Sequence, residues 1–154
     1  VLRVHGSKPK YYHHVIGGNF RLDPLQAAIL SVKLPYLNDQ HENRRKNAEF
    51  YNTHLSEKYT KPYIKKDNYM IYNQYTLRTN DRDLVIEKLK ENEIDSVIYY
   101  PVPLHLQQCF SGLGYQKGDC PEAEKAALEV FSIPIYPELT KEEKIYIINI
   151  LNKI

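Results

Sequence analysis

Gly17-Gly18-Asn19-Phe20-Arg21-Leu22-Asp23-Pro24-Leu25-Gln26-Ala27-Ala28-Ile29-Leu30 joins a polar loop to a strongly signalled helix start. Asp23 suits the N-cap and Pro24 the first helical position. Gln26, three residues past the cap, completes an Asp-x-x-Gln pattern that satisfies otherwise orphaned amides. The two glycines permit a positive φ or a close backbone approach, and they leave Asn19 and Arg21 on a loop that the helix anchors. An amide donor beside a planar guanidinium suits phosphate or carboxylate oxygens. The competing reading is a glycine turn carrying two solvated polar residues.

Outward from that stretch, Leu25, Ala28, Ile29, Val32 and Tyr36 recur at helical spacing and predict one apolar face, which Pro35 kinks or splits near Lys33 or Leu34. The helix resumes from Tyr36 to about Lys58, with Glu42 and Lys46 as an (i, i+4) pair and a charge run that reads as a solvated face. Residues 69–78 are aromatic and β-branched, as a strand requires, and a second strand is expected over 95–100 and a third over 131–135. Asn80 is the expected cap of a helix bearing Leu84, Val85, Ile86 and Leu89. Pro121 opens another helix, and Thr140-Lys141-Glu142-Glu143 is a capping box for the last one. Strands alternating with helices after one long helix predict an α+β domain, its helices on one face of a small sheet.

The 154 residues, 42% of them hydrophobic, suffice for one compact core. A formal net charge of +2 is too small for a nucleic-acid or anionic-membrane partner, which calls for a dense basic face. Cys109 and Cys120 are the only cysteines and have no CxxC spacing, so a reducing cytoplasm is expected, and no apolar run is long enough to span a bilayer. Fourteen tyrosines without a tryptophan point to half-wet pockets and interfaces, or to plain strand positions. In the arm before the glycines, Lys8, Lys10, His5, His13 and His14 suit a phosphorylated ligand. No metal is expected, since adjacent His13 and His14 would point to opposite sides of a strand. The two prolines of Pro101-Val102-Pro103 fix φ twice and hold Tyr99, Tyr100 and His105 in place.

Taken together, several stretches resemble the DegT/DnrJ/EryC1/StrS family of pyridoxal-phosphate-dependent nucleotide-sugar aminotransferases. They are Arg3-Val4-His5-Gly6, Tyr11-Tyr12-His13, Gly18-Asn19-Phe20-Arg21-Leu22-Asp23, Arg44-Arg45, Tyr72-Asn73-Gln74-Tyr75, Tyr99-Tyr100-Pro101-Val102-Pro103-Leu104-His105, Gly118-Asp119-Cys120-Pro121 and Ser132-Ile133-Pro134-Ile135-Tyr136-Pro137. Their order and spacing along the whole chain carry the likeness. The resemblance implies an α/β architecture: the C-terminal part of a fold-type I, aspartate aminotransferase-like enzyme. Residues 1–35 would close the large cofactor domain, and 36–154 would form a small α+β domain with a short, mainly antiparallel sheet.

The same resemblance implies pyridoxal 5'-phosphate as cofactor. It implies a homodimer with a shared site in which Asn19 reaches the neighbour's cofactor phosphate, and Arg21, Tyr99, Tyr100, His5 and His105 surround the substrate. The amino group would pass, with glutamate as the expected donor, to a nucleotide-linked keto-sugar, and the Lys8-Pro9-Lys10-Tyr11-Tyr12-His13 run looks like that of members acting on a 3-keto-6-deoxyhexose. The cofactor-anchoring lysine and the acid facing the pyridinium nitrogen would lie before Val1, so no lysine here is nominated and the piece alone is expected to be inactive. From the residues alone two other readings stand: a non-catalytic module of the same ancestry that dimerises, and an unrelated domain binding phosphate or sugar nucleotides through Lys8, Lys10 and Arg21. On strand geometry Tyr99 and Tyr100 would be one buried and one exposed residue, and His105 a histidine bonded to a nearby carbonyl.

Overall fold

The computed structural model describes residues 1–154, which divide into two compact units, Val1–Asn38 and Asp39–Ile154. In the first, an arm folds back on the glycine loop. Gly18 N–H donates to Leu2 O at 3.0 Å, His5 N–H to Gly18 O at 2.9 Å and Phe20 N–H to Arg3 O at 3.0 Å, while Val4 and Asn19 form an antiparallel bridge. Gly6 takes φ +73°, and a Cβ there would overlap the Val15 carbonyl; a Cβ on Gly17 would run into the backbone at Gly6 and Leu2. Close approach, rather than positive φ, is therefore what requires glycine at 17.

Helix α1 (Pro24–Lys33) begins where the sequence predicts. The Asp23 carboxylate accepts from Leu25 N–H at 2.8 Å, and Pro24 fills the first turn. Its apolar face forms but the unit does not cover it: Leu25, Ile29, Val32 and Tyr36 are 72, 53, 70 and 61% exposed. Pro35 splits the helical run as expected, through a 3-10 turn over Leu34–Tyr36, after which α2 (Leu37–His54) continues. This second helix ends four residues before the expected Lys58.

The second unit carries the core. Strands β1 (Tyr75–Arg78) and β2 (Val130–Ile133) pair antiparallel, Tyr75 opposite Ile133 and Leu77 opposite Phe131. All four side chains point into a cluster with Tyr51 and Leu55 of α2, Val85 and Leu89 of α3 (Arg82–Glu91), and Ile147, Ile148 and Leu151 of α5 (Lys141–Lys153). Burying each of these large side chains stabilises the fold by roughly 1.5–3 kcal/mol. Thr76 and Ser132 share a 2.8 Å hydrogen bond on the other face of the ladder. Buried tyrosine hydroxyls are spent on specific acceptors, Tyr51 on Pro134 O at 3.0 Å, Tyr59 on Leu151 O at 2.8 Å and Tyr75 on Asn52 Oδ1 at 2.7 Å. Burial therefore costs no unpaired polar atom.

Three local expectations need correction. The first strand is confined to 75–78, because Tyr72 takes φ +50° and Asn73-Gln74 bend away from the ladder. The second contracts to a single bridge, Val97 to Ser132, made by hydrogen bonds of 3.1 and 2.8 Å; the Tyr99–Tyr100 peptide beyond it is cis. Asn80 is not the cap of α3. Asp81 occupies that position without a side-chain capping bond, and Asp81 N–H turns to Thr79 Oγ1 at 3.4 Å. Helix α4 (Pro121–Glu129) and the Thr140–Glu143 capping box of α5 form as read.

Candidate active site

In the Val1–Asn38 unit the structure brings Asn19 and Arg21 together. Arg21 Nε donates to Asn19 Oδ1 at 2.8 Å, and both residues are exposed. The Asn19 carboxamide has its two Nδ2 hydrogens left to give and the guanidinium keeps its terminal nitrogens, so the pair presents mainly donors. Such a set, charge-assisted and next to the start of α1, suits phosphate or carboxylate oxygens. His5 stands exposed at φ +60° in the arm that clamps the loop, and His13 Nδ1 holds His5 O at 2.8 Å, which gives His13 a structural task.

Tyr99 and Tyr100 lie in the second unit. Their rings meet edge to face, centroids 5.6 Å apart, and both are exposed, 39 and 72%. The buried-and-exposed alternation of a strand pair is absent because the strand ends at the Val97 bridge. Tyr99 lines a cleft of about 350 Å³ between the start of α2 and the ends of the two central strands, with Arg44, Asn73, Gln74, Asp95 and Ser96 beside it. In the sequence, Arg44, Asn73 and Gln74 stand out only through the family likeness and Asp95 and Ser96 as strand positions, and none of the five reads as a site residue. Arg44 was hidden in a charge run, yet it is half-buried. The signal for Asn73 and Gln74 was two adjacent carboxamides inside an aromatic stretch, since on a continuous strand one of them would have faced the core.

His105, on a 3-10 turn over Leu104–Leu106, is tucked in rather than presented. Its Nε2 meets Glu124 Oε1 at 3.0 Å, its side chain is 8% exposed, and its partner is a carboxylate rather than a carbonyl. Gly118 N–H donates to the same oxygen at 2.7 Å. That backbone bond, then the His105 bond, holds the Glu124 carboxyl below its ordinary range. Glu124 thus ties the irregular segment 104–119 to the first turn of α4. Cys109 and Cys120 are free thiols, no group of three ligating side chains is placed to hold a metal, and no helix is long and apolar enough to cross a membrane.

The pleiotropic regulatory protein of Geobacillus stearothermophilus is 51% identical over 152 residues, covering 96% of this chain and 41% of that protein. The dTDP-3-amino-3,6-dideoxy-alpha-D-galactopyranose transaminase of Aneurinibacillus thermoaerophilus is 36% identical over 99% of this chain and 42% of its own length. Among solved structures, S. venezuelae DesV superposes with a TM-score of 0.92 at 33% identity, over 99% of this chain and 42% of that one. The chain therefore spans about two fifths of the length of the relatives it matches. The sequence model of the DegT/DnrJ/EryC1/StrS aminotransferase family matches residues 1–152, and the chain belongs to that family.

Proposed function

We propose that the whole protein to which this chain belongs is a pyridoxal-phosphate-dependent aminotransferase that moves an amino group from glutamate to a nucleotide-linked keto-sugar. Biosynthesis of deoxy-amino sugars for surface polysaccharides is the setting this chemistry serves. The observation that carries the reading is the outward donor pair of Asn19 and Arg21, on a chain whose relatives include named sugar transaminases. Bound pyridoxal phosphate supplies the electron sink that makes the donor's Cα–H acidic and carries the amino group between substrates.

The chain's own part is binding and orientation. Asn19 gives its Nδ2 hydrogens to the cofactor phosphate of a neighbouring subunit. Arg21 sets the direction of that carboxamide through its Nε and turns its remaining donors to the anionic portion of the substrate. Tyr99 and Tyr100 offer ring faces to the sugar, each ring limiting the other's rotation. His5 borders the arm that clamps Asn19, and His105 acts through Glu124 to hold the loop following Pro103. A homodimer with a shared site is supported by the uncovered apolar face of α1 beside the donor pair within one unit. A 3-keto-6-deoxyhexose is the acceptor we favour, on the Lys8-to-His13 run. The anchoring lysine belongs to the part of the protein outside this chain, and the chain alone is inactive in this reading.

The test is to express the full reading frame and follow cofactor absorbance. Glutamate should bleach the cofactor band, and the keto-sugar nucleotide should restore it. A protein that binds no pyridoxal phosphate, or whose band ignores glutamate, would overturn the reading.

A further inference from the structure

Residues 101–119 follow directly on Tyr99 and Tyr100, and none of them is buried. Their turns close on themselves: Leu106 N–H donates to Pro103 O at 3.0 Å, Phe110 N–H to Gln107 O at 2.9 Å and Gln116 N–H to Asp119 Oδ2 at 2.8 Å. Two hydrogen bonds join this strap to the rest of the chain, and both end on one atom, Glu124 Oε1. An ionised carboxylate only accepts, so His105 Nε2 and Gly118 N–H are the donors, one near each end of the strap. The side chains of His105 and Glu124 are 8 and 14% exposed within this chain alone, so its own packing encloses the contact.

The near end of the strap bears on the two tyrosines. Upstream, Val97 and Ser132 exchange backbone hydrogen bonds of 3.1 and 2.8 Å, which fix the chain to strand β2 two residues before Tyr99. Downstream, Pro101 and Pro103 fix φ and restrict the residue before each, Tyr100 and Val102. Gln107 Nε2 also reaches back to Val102 O at 3.4 Å. Few backbone rotations remain between Tyr100 and His105, so the position of His105 passes to the tyrosine rings. The pair hangs between a sheet contact and a side-chain contact, and the second depends on one carboxylate.

We propose that Glu124 is a positioning residue for sugar binding: by holding His105 and Gly118 on one oxygen, it sets Tyr99 and Tyr100 in the orientation that receives the acceptor sugar. What the tyrosines receive rests on the proposed function; the hold on the strap does not. Asn19, which that reading gives to the cofactor, is bridged to Val4 and not to this strap, so cofactor retention should not change.

The experiment uses the full-length protein carrying Glu124→Ala or Glu124→Gln. Hydrogen exchange read by mass spectrometry should be about ten-fold faster over 101–119 in Glu124→Ala, with α4 and β1 unchanged. Glutamine keeps an acceptor without the charge; Glu124→Gln should lie between, and it carries the comparison if the alanine variant does not fold. Half-restoration of the cofactor band should need about ten-fold more keto-sugar nucleotide in Glu124→Ala, at an unchanged limiting rate and with unaltered bleaching by glutamate. His105→Ala spares the Gly118 bond, so it should give a smaller rise and add nothing in the Glu124→Ala background. Wild-type exchange in Glu124→Ala, a loosened strap with sugar half-saturation unchanged, or equal losses toward glutamate and sugar would each overturn the proposal. If the wild-type protein ignores glutamate, the proposed function fails, and the exchange comparison alone decides whether Glu124 holds the strap.

Discussion

Arg21 Nε donates to Asn19 Oδ1 at 2.8 Å, and this one bond turns two solvent-facing side chains into a single array of donors. Ionised phosphate oxygens accept, so Asn19 can meet a phosphate only through its Nδ2 hydrogens, which the bond from Arg21 leaves free. Asn19→Ala in the full-length protein should therefore weaken retention of pyridoxal phosphate by about ten-fold or more, the usual cost of a hydrogen bond to a charged group. Equilibrium dialysis of the cofactor measures it. Retention equal to wild type would remove Asn19 from the phosphate site.

The Glu124 carboxyl, held below its ordinary value of 4.5 first by Gly118 N–H and then by His105, predicts an acid-sensitive loop. A depressed folded-state pKa means the stabilisation is complete above the unfolded value of 4.5 and is lost as pH falls through the lower folded value. The Gly118 amide proton shift should follow a single titration below pH 4.5 in the wild type, and Glu124→Gln should abolish that step. An identical curve in both proteins would contradict the tie between 104–119 and α4.

At the alkaline end, burial pushes the Tyr59 hydroxyl up to about 12 and raises those of Tyr51 and Tyr75 as well, Tyr51 being raised further by Tyr136 and Tyr75. A raised folded-state value makes the neutral hydroxyl the stabilised form. Stability is then fully present below the ordinary value of 10.0 and is lost as pH rises from there toward about 12. Tyrosinate absorbance should show a late fraction of residues titrating together with loss of circular dichroism. Tyr59→Phe, which removes the bond to Leu151 O, should cost about 0.5–1.5 kcal/mol at neutral pH by urea denaturation.

Two leucines separate core from surface. Leu77 is fully buried between the strands and the helices, so Leu77→Ala should cost about 2–5 kcal/mol. Leu25 is 72% exposed on α1, and Leu25→Ala should leave unfolding within about 0.5 kcal/mol of wild type. The same Leu25 change should weaken self-association of the full-length protein in sedimentation if the α1 face meets a second subunit. Unchanged association would move the two-fold contact elsewhere.

Local chemistry made most of the helices legible. The Asp23 and Thr140 caps, Pro24 and Pro121 at first turns, and the break at Pro35 depend on a few neighbouring residues, and each appears where read. The sheet was less legible, because an aromatic run does not say where the backbone leaves the ladder; Tyr72 at φ +50° and the single Val97 bridge are settled by tertiary packing. The apolar stripe on α1 was correctly periodic, yet periodicity cannot name what covers it. At the candidate site, Asn19 and Arg21 stood out through their glycine context. Arg44 looked like one more charge on a solvated helix, and only the fold sets it beside Asn73, Gln74 and Tyr99. His105 was foreseen as a fixed histidine, but its partner Glu124 is 19 residues away, a distance that sequence spacing cannot bridge.

Subunit mixing addresses the shared site directly. One full-length variant carries Asn19→Ala with Arg21→Ala; the other lacks the cofactor-anchoring lysine, identified by borohydride trapping, and each alone should be nearly inactive. If Asn19 and Arg21 serve the neighbour's cofactor, unfolding and refolding an equimolar mixture creates hybrid dimers with one intact site, and about a quarter of wild-type activity returns on statistical pairing. If the mixture stays as inactive as its parents while dimers demonstrably exchange, each subunit completes its own site and the outward donor pair has no cofactor across a two-fold contact.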